Sequence, residues 1–201
     1  MHLWAIIPVK PFALGKSRLT GVLDELGRLA LNRRLFDHVF ETAAAALGAP
    51  HVMIVTPDAE LTDMAIGRGA HGVVDAGELN GALSHACRAA VAFGASAILV
   101  LPSDLPFLAT EDIAALRVAL PRAPGVVIAP DRSDQATNAL LLSPPIPDFF
   151  RFGPSSFTTH VQAARASGAA VEIVRRPGLA FDLDTPEDYR DYLTRVSTAV
   201  Q

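Results

Sequence analysis

Residues 97–106 read AILVLPSDLP. Ala97 to Leu101 are continuously apolar, the pattern of a parallel strand covered on both faces. Polarity then returns at Ser103-Asp104, with Pro102 and Pro106 stiffening the backbone on either side. A carboxylate therefore follows the carboxyl end of a buried strand. Mg²⁺ is suited to such a place, because it takes one or two carboxylates and completes its shell with phosphate oxygens and water. A plain turn-forming or helix-capping aspartate is the competing reading.

Working outward, the chain alternates between strand and helix. Leu3–Pro8, His51–Thr56 and Gly72–Val74 are predicted strands upstream. Arg28 to Leu47 carries Leu31, Leu35 and Val39 on one helical line and Phe36 and Phe40 on the next, with Gly48 as a stop. Helices are also predicted from about Asp58 to Gly67 and from Asn80 to Phe93. Downstream, Thr110 is predicted to cap a helix that has Glu111 and Asp112 in its first turn. Val126–Ala129, Asn138–Leu142 and Val171–Val174 read as strands, and Ser155–Ser167 as a helix. Pro186 opens a final helix behind Thr185. The Pro144–Pro147 stretch reads as an insertion loop. This βα alternation predicts a single α/β domain over 1–201, with a mostly parallel central sheet and helices on both faces. Ligands in such sheets gather at the carboxyl ends of the strands.

Half of the 201 residues are apolar and the net charge is −4. These values exclude a disordered chain and a duplex-wrapping protein, and leave a small-molecule enzyme that binds no nucleic acid. One cysteine, Cys87, sits in a helical pattern, so no disulfide framework exists. The apolar N-terminus is too short for a signal peptide, and no run approaches a membrane span. The expected location is the cytoplasm. His38, His51, His71, His85 and His160 lack zinc-ligand spacing and are expected to be structural or exposed.

Four further segments carry candidate chemistry. Pro8-Val9-Lys10, followed by Gly15-Lys16-Ser17-Arg18-Leu19, places a glycine and three cations after a strand. Such a loop can hold phosphate through Lys10, Lys16 and Arg18, although it is neither a Walker loop nor G-x-G-x-x-G. Asp182-Leu183-Asp184 sets two carboxylates two residues apart, which in extended backbone face one side. Two such carboxylates repel unless a cation or proton intervenes; Asp184 could instead only help to cap the helix at Pro186. Gly153-Pro154-Ser155-Ser156 precedes a helix, whose free N–H groups suit a phosphate or carboxylate as well as ordinary capping. Gln135-Ala136-Thr137-Asn138 is small and polar at the entry to a strand.

Together with Leu79-Asn80 and His160, these segments resemble, in order and over nearly the whole chain, the 2-phospho-L-lactate guanylyltransferase family. That family includes phosphoenolpyruvate and 3-phosphoglycerate guanylyltransferases. The resemblance implies a GT-A-like nucleotidyltransferase fold and transfer of GMP from GTP to a small phosphorylated three-carbon acid, with release of pyrophosphate, in coenzyme F-420 biosynthesis. It implies Mg²⁺ on Asp104, Asp182 and Asp184. Pro8, Val9, Lys10, Lys16, Arg18 and Asn80 would face the nucleotide, and Thr137, Gly153 and Ser156 the phosphorylated acid. Asp104 and Lys16 are the catalytic candidates. Similar sequences often have glycine where this chain has Ala136; a turn needing positive φ there would be strained. The competing functions are nucleotidyl transfer to a molybdopterin or sugar phosphate, whose enzymes usually have a longer glycine-rich first loop, and a non-catalytic nucleotide-binding regulator.

Overall fold

A computed structural model describes residues 1–122 and 124–198. Seven strands, β1 (Leu3–Pro8), β2 (Val52–Thr56), β3 (His71–Val74), β4 (Ala97–Val100), β5 (Gly125–Pro130), β6 (Thr137–Ser143) and β7 (Ala170–Ile173), form one sheet. Their order is β3-β2-β1-β4-β6-β5-β7. β6 is antiparallel to β4 and β5, and all the other pairings are parallel. The mostly parallel sheet is as expected from the sequence, with one reversed strand that apolar runs alone do not reveal.

Strand alternation sorts the core into two layers. Along β1, Leu3, Ala5 and Ile7 face one side, while Trp4 and Ile6 face the other. β4 repeats this with Ala97 and Leu99 against Ile98 and Val100. The first layer is closed by α1 (Glu25–Leu47), α2 (Ala59–Gly67) and α4 (Thr110–Ala119), through Phe36, Val39, Phe40, Leu61, Ile113 and Leu116. The second is closed by α3 (Leu79–Ala92) and α5 (Ser156–Ala166), through Leu83, Ala86, Cys87 and Ala164. Burial pushes the Cys87 thiol up to about 12, which makes it a packing group and not a nucleophile.

A third, smaller cluster joins Leu19, Leu31, Leu35, Phe181, Leu183 and Tyr192. It seats the basic loop and the approach to α7 (Pro186–Thr198) against one end of α1. α7 begins with reciprocal capping: Asp188 accepts from the Thr185 N–H and hydroxyl, while the Asp188 N–H donates to Thr185 Oγ1.

Three local expectations need correction. α1 starts at Glu25, not Arg28, because Asp24 caps it by accepting from the Gly27 N–H before the apolar periodicity begins. Ala109 occupies the cap position of α4, and Thr110 is its first residue. There Asp112 supplies the cap by accepting from the Ala109 N–H. The Pro144–Pro147 stretch leads into a short 3-10 turn, Pro147–Phe149, that plants Phe149 in the second core layer. A four-residue helix, α6 (Pro177–Ala180), also precedes the Asp182–Asp184 segment. It is too short for periodicity to announce.

Candidate active site

The carboxyl ends of β1, β2, β3 and β4 open onto a cleft of about 520 Å³, within the range of small-molecule sites. Pro8, Val9, Lys10, Lys16 and Arg18 line it, together with Asp104 and Asp184. The basic loop and the carboxylates, distant in sequence, thus share one wall.

Lys16 is the hub. Its backbone is left-handed, with φ 55° and ψ 36°, a conformation that non-glycine residues adopt at a cost and that gathers at functional sites. Its side chain is only 7% exposed. The ammonium lies 2.7 Å from Asp104 Oδ2 and 3.9 Å from Asp184 Oδ1. Arg18 pairs with the other oxygen of Asp184. Gly15, just before, lets the loop pass close to α1: a Cβ there would stand 2.5 Å from the Asn32 carboxamide. Asn32 in turn donates to the Phe12 carbonyl, fixing the loop.

The Asp182–Asp184 segment is anchored by its alternate residues. Phe181 and Leu183 are buried in the third cluster. The Leu183 N–H donates to the Asp104 carbonyl at 3.0 Å, so one backbone bond ties the two carboxylate segments together. Asp182 accepts from Asn138 Nδ2 at 3.2 Å. Burial, and after it the nearby charge of Asp104, raise the Asp182 carboxyl above the ordinary range.

Among the described residues, no three His, Cys, Asp or Glu side chains stand close enough to form a metal cage by themselves. The donor set nevertheless fits magnesium, which needs only one or two carboxylates alongside substrate phosphate. Asp104 and Asp182 are mutually repulsive carboxylates, and Lys16 links Asp104 to Asp184.

Thr137, Gly153 and Ser156 cluster separately, beyond Phe152 at the cleft wall, and do not themselves line the cleft. Because β6 runs antiparallel, its start lies at the same sheet end as the carboxyl ends of its neighbours. The Asp131 carboxylate builds the turn into it, accepting from the Gln135 and Ala136 N–H groups, each at 2.7 Å, and from Ser133. Burial pushes the Asp131 carboxyl up, but these bonds more than offset it and hold it below the usual range. Asp134, not Ala136, takes the positive φ of this turn, at 57°. Alanine at 136 is therefore unstrained. The Thr137 N–H donates to Ser156 Oγ at 3.0 Å, and Thr137 Oγ1 meets His160 Nδ1 at 2.9 Å. Gly153, at φ 139°, adopts backbone suited to glycine just before α5.

Asn80 is not among the residues that line the cleft, although its neighbour Leu79 and its partner Phe152 are. Its carboxamide donates to the Phe152 carbonyl at 3.0 Å and accepts the Phe152 N–H at 2.7 Å, so it clamps the loop that carries Gly153. Sequence reading passed over Asp75, Thr56 and Asn32, which also line the cleft. Asp75 follows β3, so the strand-end rule that picked out Asp104 could have found it. The His85 side chain, then the Gly77 N–H, hold its carboxyl low.

The model of the family described as "Guanylyl transferase CofC like" matches residues 3–197. A phosphoenolpyruvate guanylyltransferase of Rubrobacter xylanophilus is 43% identical over 189 residues, covering 94% of this chain and 92% of that protein. A 3-phospho-D-glycerate guanylyltransferase of Phenylobacterium zucineum is 35% identical, covering 92% and 86%. Among solved structures, a nucleotidyl transferase from Methanothermobacter superposes with TM-score 0.66 at 15% identity, covering 97% of this chain and 99% of that one. A cytidylyltransferase from Leptospira borgpetersenii gives 0.63 at 12% identity, covering 98% and 87%. The likeness to these structures gives the nucleotidyltransferase fold, and the sequence match over nearly all of the chain gives the family: the protein belongs to the CofC-like guanylyl transferases.

Proposed function

We propose that the protein transfers GMP from GTP to a small phosphorylated three-carbon acid, releasing pyrophosphate, as a cytoplasmic step of coenzyme F-420 biosynthesis. The observation that carries this reading is the placement of Lys16 between Asp104 and Asp184 at a cleft of nucleotide size, with a separate set of hydroxyl donors nearby. The family description supports guanine, and the relatives' names support the acid. The relatives are named for phosphoenolpyruvate and for 3-phospho-D-glycerate, so either of these, or 2-phospholactate, is the acceptor class.

The acid's phosphate is an anionic nucleophile at neutral pH and needs no strong base. One of its oxygens forms a bond to the α-phosphorus of GTP while the bond from that phosphorus to the bridging β-phosphate oxygen breaks, and pyrophosphate leaves with the bonding electrons. The obstacle is repulsion between two anions. Lys10, Lys16 and Arg18 oppose it on the triphosphate side. Thr137 and Ser156 orient the acid. Asp104, Asp182 and Asp184 would hold magnesium, which when bound supplies charge neutralisation at the phosphates.

The test is a grid of four nucleoside triphosphates against the three acids, a sugar phosphate and a molybdopterin in the presence of Mg²⁺, reading pyrophosphate and product mass. A product with GTP and one or more of the acids is expected. Pyrophosphate release with only a sugar phosphate or a molybdopterin as acceptor would replace this reading with the competing one.

A further inference from the structure

We infer that His160 is a positioning residue whose Nδ1–H fixes the direction in which the Thr137 hydroxyl donates, aiming that proton at the phosphorylated acid. This rests on the proposed role of Thr137 and Ser156 as the acid's anchors.

The hydrogen bonds determine which ring nitrogen carries the proton. His160 Nε2 lies 2.9 Å from the Arg151 backbone nitrogen. A backbone N–H can only donate, so Nε2 must present its lone pair, and the proton of the neutral imidazole is on Nδ1. Nδ1 is 2.9 Å from Thr137 Oγ1. The hydroxyl oxygen therefore accepts from the ring, and its own proton cannot point back at it. Among the described residues that proton has no other acceptor. The Ser156 hydroxyl is in the same position, because its oxygen accepts the Thr137 N–H. Two hydroxyls on buried residues, each residue 2% exposed, thus stand side by side with a donor to spare. Buried donors require an acceptor, and an oxyanion satisfies both.

The ring is held so that this choice is not lost. His160 has no solvent exposure. It stacks on Phe149 with centroids 6.0 Å apart and an interplanar angle of 8°, and meets the Phe152 ring edge-on at 4.8 Å. Burial, then the Arg151 guanidinium, push its pKa down to about 4, so the imidazole is neutral at pH 7. The opposite tautomer would set two N–H groups against each other at Arg151 and let Thr137 spend its proton on Nδ1.

The two nitrogens can be separated by substitution. An asparagine amide reproduces the Nδ1 donor, and a glutamine carbonyl reproduces the Nε2 acceptor. His160→Asn is expected to keep the KM for the acid selected in the grid within about threefold of wild type. His160→Gln should raise it about tenfold. The KM for GTP should move in neither. A purely structural role would affect both variants alike, and equal acid KM values for the two would overturn the inference. Thr137→Val separates the parent reading: an unchanged acid KM there removes Thr137 from the acid site and the role of His160 with it. A raised acid KM in Thr137→Val with a normal one in His160→Gln overturns the histidine role alone. The ¹⁵N spectrum of the wild-type imidazole tests the geometry without any variant. A protonated Nδ1 is expected; a protonated Nε2 would overturn the inference even if neither variant folds.

Discussion

Asp104 is placed by one bond that its own side chain does not make, the donation of the Leu183 N–H to its carbonyl. Asp104→Asn keeps that bond and the shape of the side chain while removing the charge. Turnover should fall by at least about a thousandfold with a near-unchanged thermal midpoint; near-normal turnover would take Asp104 out of the metal and catalytic role. Lys16→Ala removes the ammonium shared by two carboxylates. It should lower kcat/KM for the nucleotide roughly 10- to 100-fold, and unchanged kinetics would exclude the basic loop from the site. At this scale the sequence was most informative where a residue directly follows a strand. The places of Asp104 and Lys10 at the cleft were legible for that reason. The engagement of Asn80 with Phe152 was not, because a carboxamide on the first turn of α3 carries no sign of which backbone it will meet 72 residues later. His160 was visible only as part of the family pattern. Its contacts with Thr137 and the Arg151 N–H, and its complete burial, carry no signal in the sequence.

Among the elements, α6 shows how a short segment can govern the site. Its Leu179 carbonyl accepts from Asn138 Nδ2 at 2.9 Å, and the same nitrogen reaches Asp182. Gly178, in the middle of α6, lies against the Phe107 carbonyl and the Asp112 carboxylate, where an added Cβ would collide with both. Asp112 is itself 3% exposed and pairs with Arg176 at 2.8 Å, so it cannot easily yield. Gly178→Ala should therefore destabilise by about 1–3 kcal/mol in urea unfolding, and lower activity through the Asn138–Asp182 contact. A variant of wild-type stability would show that α6 moves freely. The longer elements were legible because each has enough residues to repeat a period. α6 has too few, and the direction of β6 was hidden because an apolar run reads the same either way along a sheet.

At the scale of the molecule, acid should act in two stages. His160 has its pKa lowered from 6.5 to about 4 in the fold. Between those values the unfolded chain binds the proton and the native chain does not, so stability rises with pH and is lost as pH falls through this window. The loss by pH 4 should be about 3 kcal/mol, measured as the change in urea-unfolding free energy from pH 7. His160→Asn should remove that share; an unchanged slope would mean that His160 titrates normally. The Asp131 and Asp188 carboxyls act lower. Burial pushes each up, but hydrogen bonds hold each below 3.8. The stabilisation they add is present above that value and lost only as pH falls further.

The reversal of β6 divides the labour of the chain. Residues 8–104, with Phe152 and Asp184, wall the cleft, residues 131–160 carry the Thr137 and Ser156 hydroxyls, and the Asp182–Asp184 segment meets that second block through the Asn138–Asp182 bond. The second block enters through its own turn and returns through its own helix, and its strand β6 is held between β4 and β5, so its exchange as one segment is a test of this division. Grafting the corresponding segment of the Phenylobacterium zucineum relative onto this chain should shift acceptor preference toward that relative's while leaving the KM for GTP in place. Preference that stays with the host would put acceptor choice in the nucleotide half instead. A shift that travels with the graft would mean that about thirty contiguous residues decide what the enzyme acts upon while its energy source is left untouched.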